Sequence, residues 1–193
     1  MAEKPSKTVC RTFPSNPFSF RTGDIEIDPG PDKAHPYPST ITVSIPSALS
    51  VIAKVTVTLS DFSHSAPGDL DILLVGPDGV TNTLLMSDTG SVFLVSDLTL
   101  TFDDNATSLL PGLSSLQSGV YKPTNYETIE NLPAPAPQTS PSVNLGNFIG
   151  MNPNGTWSLY VRDDVPGTHG GFIGSWSLTI TTPETEECTT AIL

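Results

Sequence analysis

The sequence is poor in the groups that carry most enzymatic chemistry. Its 193 residues include two cysteines, Cys10 and Cys188, three histidines, His35, His64 and His169, and eight lysines and arginines. No C-x-x-C, H-E-x-x-H, G-x-S-x-G or glycine-rich phosphate loop occurs, so the short signatures of zinc sites, metalloproteases, α/β-hydrolases and nucleotide binders are missing. Two cysteines near opposite ends make no zinc site by themselves. Paired, they would staple the termini; unpaired, they are two thiols in loose ends. Against the eight basic residues stand 20 acidic ones, a formal net charge of −12, which argues against a nucleic-acid partner. No apolar run is long enough for a membrane span, and the charged opening "MAEKPSK" leads into no signal-peptide core.

What the chain does have is turn formers and short alternating runs. It carries 19 prolines and 15 glycines, which dilute helix-forming residues and favour many short strands. "VIAKVTVTLSD" alternates, with Val55, Val57 and Leu59 opposite Lys54, Thr56 and Thr58, the period of a half-buried strand. "GDLDILLV" follows, with Leu70, Ile72 and Leu74 on one face, then the turn "GPDG" and a hairpin partner, "VTNTLLMSD". "SVFLVSDLTLTF" adds a strand with Leu98, Leu100 and Phe102 on one side. Two near-copies of one phrase, "GTWSLYV" and "GSWSLTI", close the pattern as two similar core strands. Their Trp157, Leu159 and Val161, then Trp176, Leu178 and Ile180, fall in strand register, which assigns both tryptophans to the core.

This pattern predicts an all-β sandwich; periodicity alone does not separate jelly-roll from immunoglobulin-like topology. Residues 1–37 are read as an irregular arm in which "GDIEIDPG" offers a short strand, 38–183 as the sandwich and 184–193 as a tail. Within the sandwich, about 105–146 lacks a sustained period and contains the polyproline-like "PAPAP". Its scattered apolar residues predict a segment draped over the sandwich, with room for a short helix or strand.

Aspartates collect where strands are expected to end: Asp61, Asp69, Asp71, Asp103, Asp104, Asp163 and Asp164. Calcium takes about six to eight hard oxygens, and loops bearing these carboxylates are candidate metal ligands, with the Asp61–Asp71 and Asp103–Asp104 loops ranked first. The competing role is structural, because aspartate is an ordinary turn and cap residue. No EF-hand loop sharpens the metal reading. His64 is read as a hydrogen-bonded structural histidine, and no serine, histidine and aspartate stand in contexts that mark an activated nucleophile. Asn105 in "NAT" and Asn154 in "NGT" are glycosylation sequons.

Three stretches together, "VTVTLSDFSHSAPGDLDILLVGPDGVTNTLL", "TFDDNATS" and "NPNGTWSLYVRDDVPGTHGGFIGSWSLTI", resemble the P domain, or Homo B domain, of subtilisin-like proprotein convertases and their bacterial relatives. The resemblance spans about residues 38–183. Asp69 and Leu70 match its G-D-L, Asp103 and Asp104 its acidic loop, Asp163 and Asp164 its turn aspartates, and Trp157 and Trp176 its core tryptophans. It implies a jelly-roll, galactose-binding-domain-like sandwich with structural calcium. It further implies a non-catalytic module, extracellular or at the cell surface, that stabilises or binds another protein such as a subtilisin-like protease. His64 is kept where the family has its histidine, but Ala66 stands in place of an aromatic, so an aromatic contact to a protease is not implied at that position. The alternatives are a carbohydrate- or cell-surface-binding module and, further off, a hydrolase built from loops.

Overall fold

The computed structural model describes residues 6–13, 17–46, 51–126, 132–138, 142–183 and 185–192, with the backbone alone at 6–13, 17–18 and 185–192. Strands dominate it. The first are β1 (Ser6–Phe13), β2 (Pro17–Thr22), β3 (Ile25–Ile27), β4 (Asp32–Lys33) and β5 (Ser39–Val43). Then come β6 (Lys54–His64), β7 (Leu70–Val75), β8 (Asn82–Ser87) and β9 (Val95–Phe102), the strands of the alternating runs. β10 (Gly119–Tyr121) and β11 (Thr124–Asn125) lie in the long loop, and β12 (Gly155–Asp163), β13 (Gly171–Thr181) and β14 (Thr185–Ile192) finish the chain.

Two sheets form an all-β sandwich. One has the order β10-β9-β6-β13-β2, with β3 also on β13. The other runs β11-β8-β7-β12-β4, with β5 also on β12. Between them Val55, Val57, Leu59, Leu100, Phe102, Leu178 and Ile180 meet Leu70, Ile72, Leu74, Leu159 and Val161 in one buried cluster. Trp157 and Trp176 are fully buried there, as their register predicts. Both indole N–H groups are satisfied, Trp157 donating to the Pro153 carbonyl at 2.8 Å and Trp176 to Ser39 Oγ at 2.9 Å.

The segment 1–37 departs from the expected irregular arm. Its β2 and β3 pair with β13, and β4 pairs with β12, so much of the arm completes the sheets. The short strand offered by "GDIEIDPG" is β3; β2 and β4 carry too little period to be seen in sequence, and there the neighbouring ladder supplies the order. In the same way β14, within the expected tail, pairs with β1. Residues 1–5, 14–16, 184 and 193 of those segments lie outside the described residues, as do 127–131 and 139–141 of the long loop.

β7 is buried on both faces, which alternation alone did not predict. The long loop explains it. Leu132, Ala136 and Val143 pack on Leu73, Val75, Leu84 and Tyr160, a second small core on the outside of the sheet. Polar anchors hold the segment down: Lys33 Nζ donates to the Ala134 carbonyl at 2.9 Å and Tyr37 Oη to that of Pro133 at 2.8 Å. The loop also contributes β10 and β11 to the two sheets. Leu73→Ala should therefore cost about 2–4 kcal/mol of unfolding free energy in a urea titration, as for a true core position. A loss near zero would mean that the loop does not cover this face.

Candidate functional site

A break in alternation builds the site. Val55, Val57 and Leu59 face the core at every second position, so Asp61 should come next; instead Phe62 and His64 are the buried residues. The ladder between β6 and β9 shifts register on both sides of Phe62, and Asp61 adopts a left-handed backbone with φ 54°. Aspartate tolerates that conformation better than most residues. Such bulges re-aim side chains, and this one turns His64 inward. Opposite His64 on β13 stands Gly171. A Cβ at Gly171 would overlap the Ser63 carbonyl oxygen and come 2.8 Å from His64 Cα and Cδ2, so only glycine leaves room for the ring.

His64 and Asp163 form a fully buried pair, with Nε2 and Oδ2 3.5 Å apart. His64 Nδ1 accepts the Ala66 N–H at 3.2 Å, which places the neutral ring's proton on Nε2, toward the carboxylate. At 3.5 Å the contact is too long for a good hydrogen bond, and both atoms are buried without another partner. Burial lowers the His64 pKa and keeps the ring neutral. Burial likewise raises Asp163 to about 6, reinforced by the nearby Asp69 and Asp164 charges, although the Val165 and Gly30 N–H groups offset part of the effect. Gly30 lies against the carboxylate: a Cβ there would overlap Asp163 Oδ1.

Next to this pair the short 3-10 turn Pro67–Asp69 presents Asp69, whose Oδ2 meets His169 Nδ1 at 2.9 Å. Asp164 N–H donates to the Asp69 carbonyl at 2.9 Å, tying the β12–β13 loop to the turn. Asp69, Asp163 and Asp164 thus gather at one end of the sandwich with His64 and His169, whereas Asp71 shares the outer face of β7 with Leu73 and acts on Tyr37. The other expected ligands lie elsewhere. Asp103 pairs with Lys54 Nζ at 2.7 Å, at the opposite end of β6. Asp104 accepts the Leu145 and Gly146 N–H groups at 3.1 and 2.7 Å and so anchors the turn after the long loop. Asp61 stays at its exposed bulge, close against Gly174. The donor chemistry at the Asp69–Asp163 end, hard carboxylate oxygens with one lacking a hydrogen bond, suits calcium. In position, however, no three His, Cys, Asp or Glu side chains converge as metal ligands among the described residues.

Beside the carboxylates lies a feature that the sequence reading missed. A groove of about 650 Å³ is lined by Gly68, Asp69, Asp88, Val92, Leu113 and Tyr126, with Val165 closing it. Leu113 is 90% exposed and Val92 66%. The long segment forms one wall: Tyr126 Oη donates to the Leu110 carbonyl at 2.7 Å, and its ring packs against Gly112. A Leu between glycine and serine in an unpatterned stretch gives no periodic signal, and "SVFL" reads as the opening of the next strand.

The buried pair gives a pH test. A carboxyl whose folded pKa lies near 6, against 3.8 unfolded, holds its proton better when folded, so its contribution is lost as pH rises from about 4 to about 6. The depressed His64 acts the other way, losing stability as pH falls below about 6.5. In chelator, Asp163→Asn should therefore gain on the wild type between pH 4 and 6, by at most about 3 kcal/mol, and run parallel above that. A difference between the two urea-stability curves that does not change with pH would count against a proton on Asp163.

No protein-family model matches the chain, and no curated protein matches it significantly. Among solved structures it is similar to the complex of the Aeromonas sobria serine protease with the chaperone, at 17% identity and a TM-score of 0.43. That match covers 96% of this chain and 28% of the other. With the Aeromonas sobria serine protease structure the identity is 17% and the TM-score 0.41, over 92% of this chain and 27% of the other. The chain spans less than a third of the length of those chains.

Proposed function

We propose that this chain is a non-catalytic sandwich module of P-domain type that binds another protein, a subtilisin-like protease domain, through the groove at its carboxylate-bearing end. The observation that carries the proposal is the apolar lining left open to solvent: Val92, Leu113, Tyr126 and Val165 around a cleft of about 650 Å³. Large exposed apolar surface rimmed by polar groups marks interaction sites. The motif resemblance supplies the class of partner. A sugar-binding role loses its first candidates, because both tryptophans are buried. Hydrolysis through His64 is disfavoured by the complete burial of its side chain, and His169 is engaged by Asp69 in holding the loop.

Calcium belongs to the proposal only at the Asp69, Asp163 and Asp164 end, where a cation would relieve the Asp69 and Asp164 charges that add to burial in raising Asp163. Thermal unfolding in millimolar calcium should then lie above that in chelator, since a ligand of the folded state raises apparent stability. Coincident midpoints would remove calcium from the proposal and leave the groove untouched.

Binding is tested by calorimetric titration against an active-site-blocked subtilisin-like protease domain from the same genome. Leu113→Glu, at a 90% exposed position, should leave folding within about 0.5 kcal/mol. It should weaken binding about tenfold or more, as loss of an interface anchor does. Phe172→Glu, on a different surface beside Asp61 and Gly174, should bind as the wild type does. Equal binding by all three proteins would discard the groove; no binding by any would discard the partner.

A further inference from the structure

We propose that Cys10 and Cys188 form a disulfide that clasps the first and last strands together. The ladder of β2 with β13 runs from Thr22↔Trp176 to Pro17↔Thr181. The ribbon of β1 with β14 resumes at Phe13↔Thr185 and continues to Ser6↔Ile192. Three residues intervene on each strand, 14–16 and 182–184, so none is gained or lost between the two ladders. The register of the ribbon is therefore that of the core.

Core burial holds this register. Leu178 and Ile180, which pair with Phe20 and Phe18, are fully buried. A slip of one residue would move the whole inward face of a strand outward. In the observed register Cys10 is directly opposite Cys188, and these are the two cysteines of the sequence. Directly opposed residues of an antiparallel pair have Cα atoms about 4.5 or about 5.5 Å apart. Both values lie inside the roughly 4.4–6.8 Å that a disulfide spans.

The ribbon also needs such a clasp. A lone two-stranded pair is marginal in water, and here it joins the two ends of the chain. A cross-link between positions 10 and 188 closes a loop of nearly the full chain, the case in which chain-entropy stabilisation is largest. The bond forms by thiol–disulfide exchange with a small-molecule disulfide such as oxidised glutathione. One cysteine thiolate attacks it and releases a glutathione thiolate; the other cysteine then attacks the mixed disulfide and releases the second. The two protein thiols thus lose two protons and two electrons, and one oxidised glutathione becomes two reduced ones.

The test is refolding of the full chain in a glutathione redox buffer, maleimide quench under denaturing conditions and non-reducing mass spectrometry. The expected product is about 2 Da lighter than the reduced chain, takes up no maleimide and yields a linked peptide joining the Cys10 and Cys188 fragments. Reductant should lower its thermal midpoint by several degrees and leave a Cys10→Ser, Cys188→Ser double variant unmoved. Two maleimide-labelled thiols in the folded product, or stable glutathione adducts at either cysteine, would overturn the proposal. So would equal sensitivity of the wild type and the double variant to reductant.

Discussion

The antiparallel register of β13 is the constraint from which most of this structure follows. One edge of that strand pairs with β6 from Lys54 to His64, and the other with β2 and β3. Ile173, Trp176, Leu178 and Ile180 are buried along it. Because the side-chain period of a strand is two, shifting it by one residue would expose most of this set and bury Ser177 and Thr179. The same register sets Gly171 opposite His64 and carries on into the terminal ribbon. Core packing, the buried histidine and the meeting of the chain ends therefore share one cause.

The seven aspartates singled out in the sequence show how position divides the work of one residue type. Asp61 fills a left-handed bulge position and moves the inward face of β6 from odd to even numbers. Asp104 caps the backbone turn at Leu145 and Gly146 that follows the long loop, and Asp103 neutralises Lys54 at the start of β6. At the opposite end Asp69 organises the β12–β13 loop through His169, while Asp163 is left fully buried beside His64. A buried carboxylate without a full set of hydrogen bonds is costly, and the raised Asp163 pKa expresses that cost. Gly30 and Gly171 close the space around the pair, so no larger residue at either position could serve without moving backbone or the buried groups.

The sandwich was legible in the sequence because its central strands alternate strongly. The runs around Val55–Leu59, Leu70–Leu74, Trp157–Val161 and Trp176–Ile180 all became core strands. Of residues 1–37 only the strand in "GDIEIDPG" was legible, because a pair as short as Asp32–Lys33 exists through its partner rather than its own pattern. The site was half legible. Clustering by sequence put Asp61 with Asp69 and ranked Asp103–Asp104 beside them, yet strand direction sends Asp103 and Asp104 to the far end. A local clue to the bulge was available: the step from Leu59 to Phe62 breaks the two-residue period. The groove had no comparable clue, since its walls come from segments distant in sequence that meet only in the fold.

Where the fold covers itself also decides where apolar surface is left open. The outer face of the sheet carrying β6 and β13 is lined by hydroxyls, with Thr58 bonded to Thr101 at 2.9 Å and Ser19 to Thr179 at 3.0 Å. Such a face is at home in water. The outer face of the other sheet is apolar but already occupied, because Leu132, Ala136 and Val143 lie on Leu73 and Leu84. At the end of the sandwich the long segment does the opposite: it raises Leu113 and Tyr126 beside Val92 and leaves the cleft between them open. One loop thus seals an apolar sheet face and builds an apolar groove, and the groove is anchored to the Asp69 turn through the Gly68 N–H bonded to the Ser91 carbonyl at 2.9 Å. Backbone hydrogen-bonded beneath exposed apolar side chains lowers the ordering cost of association. That combination places the proposed docking surface at the loop-bearing end rather than on either sheet face.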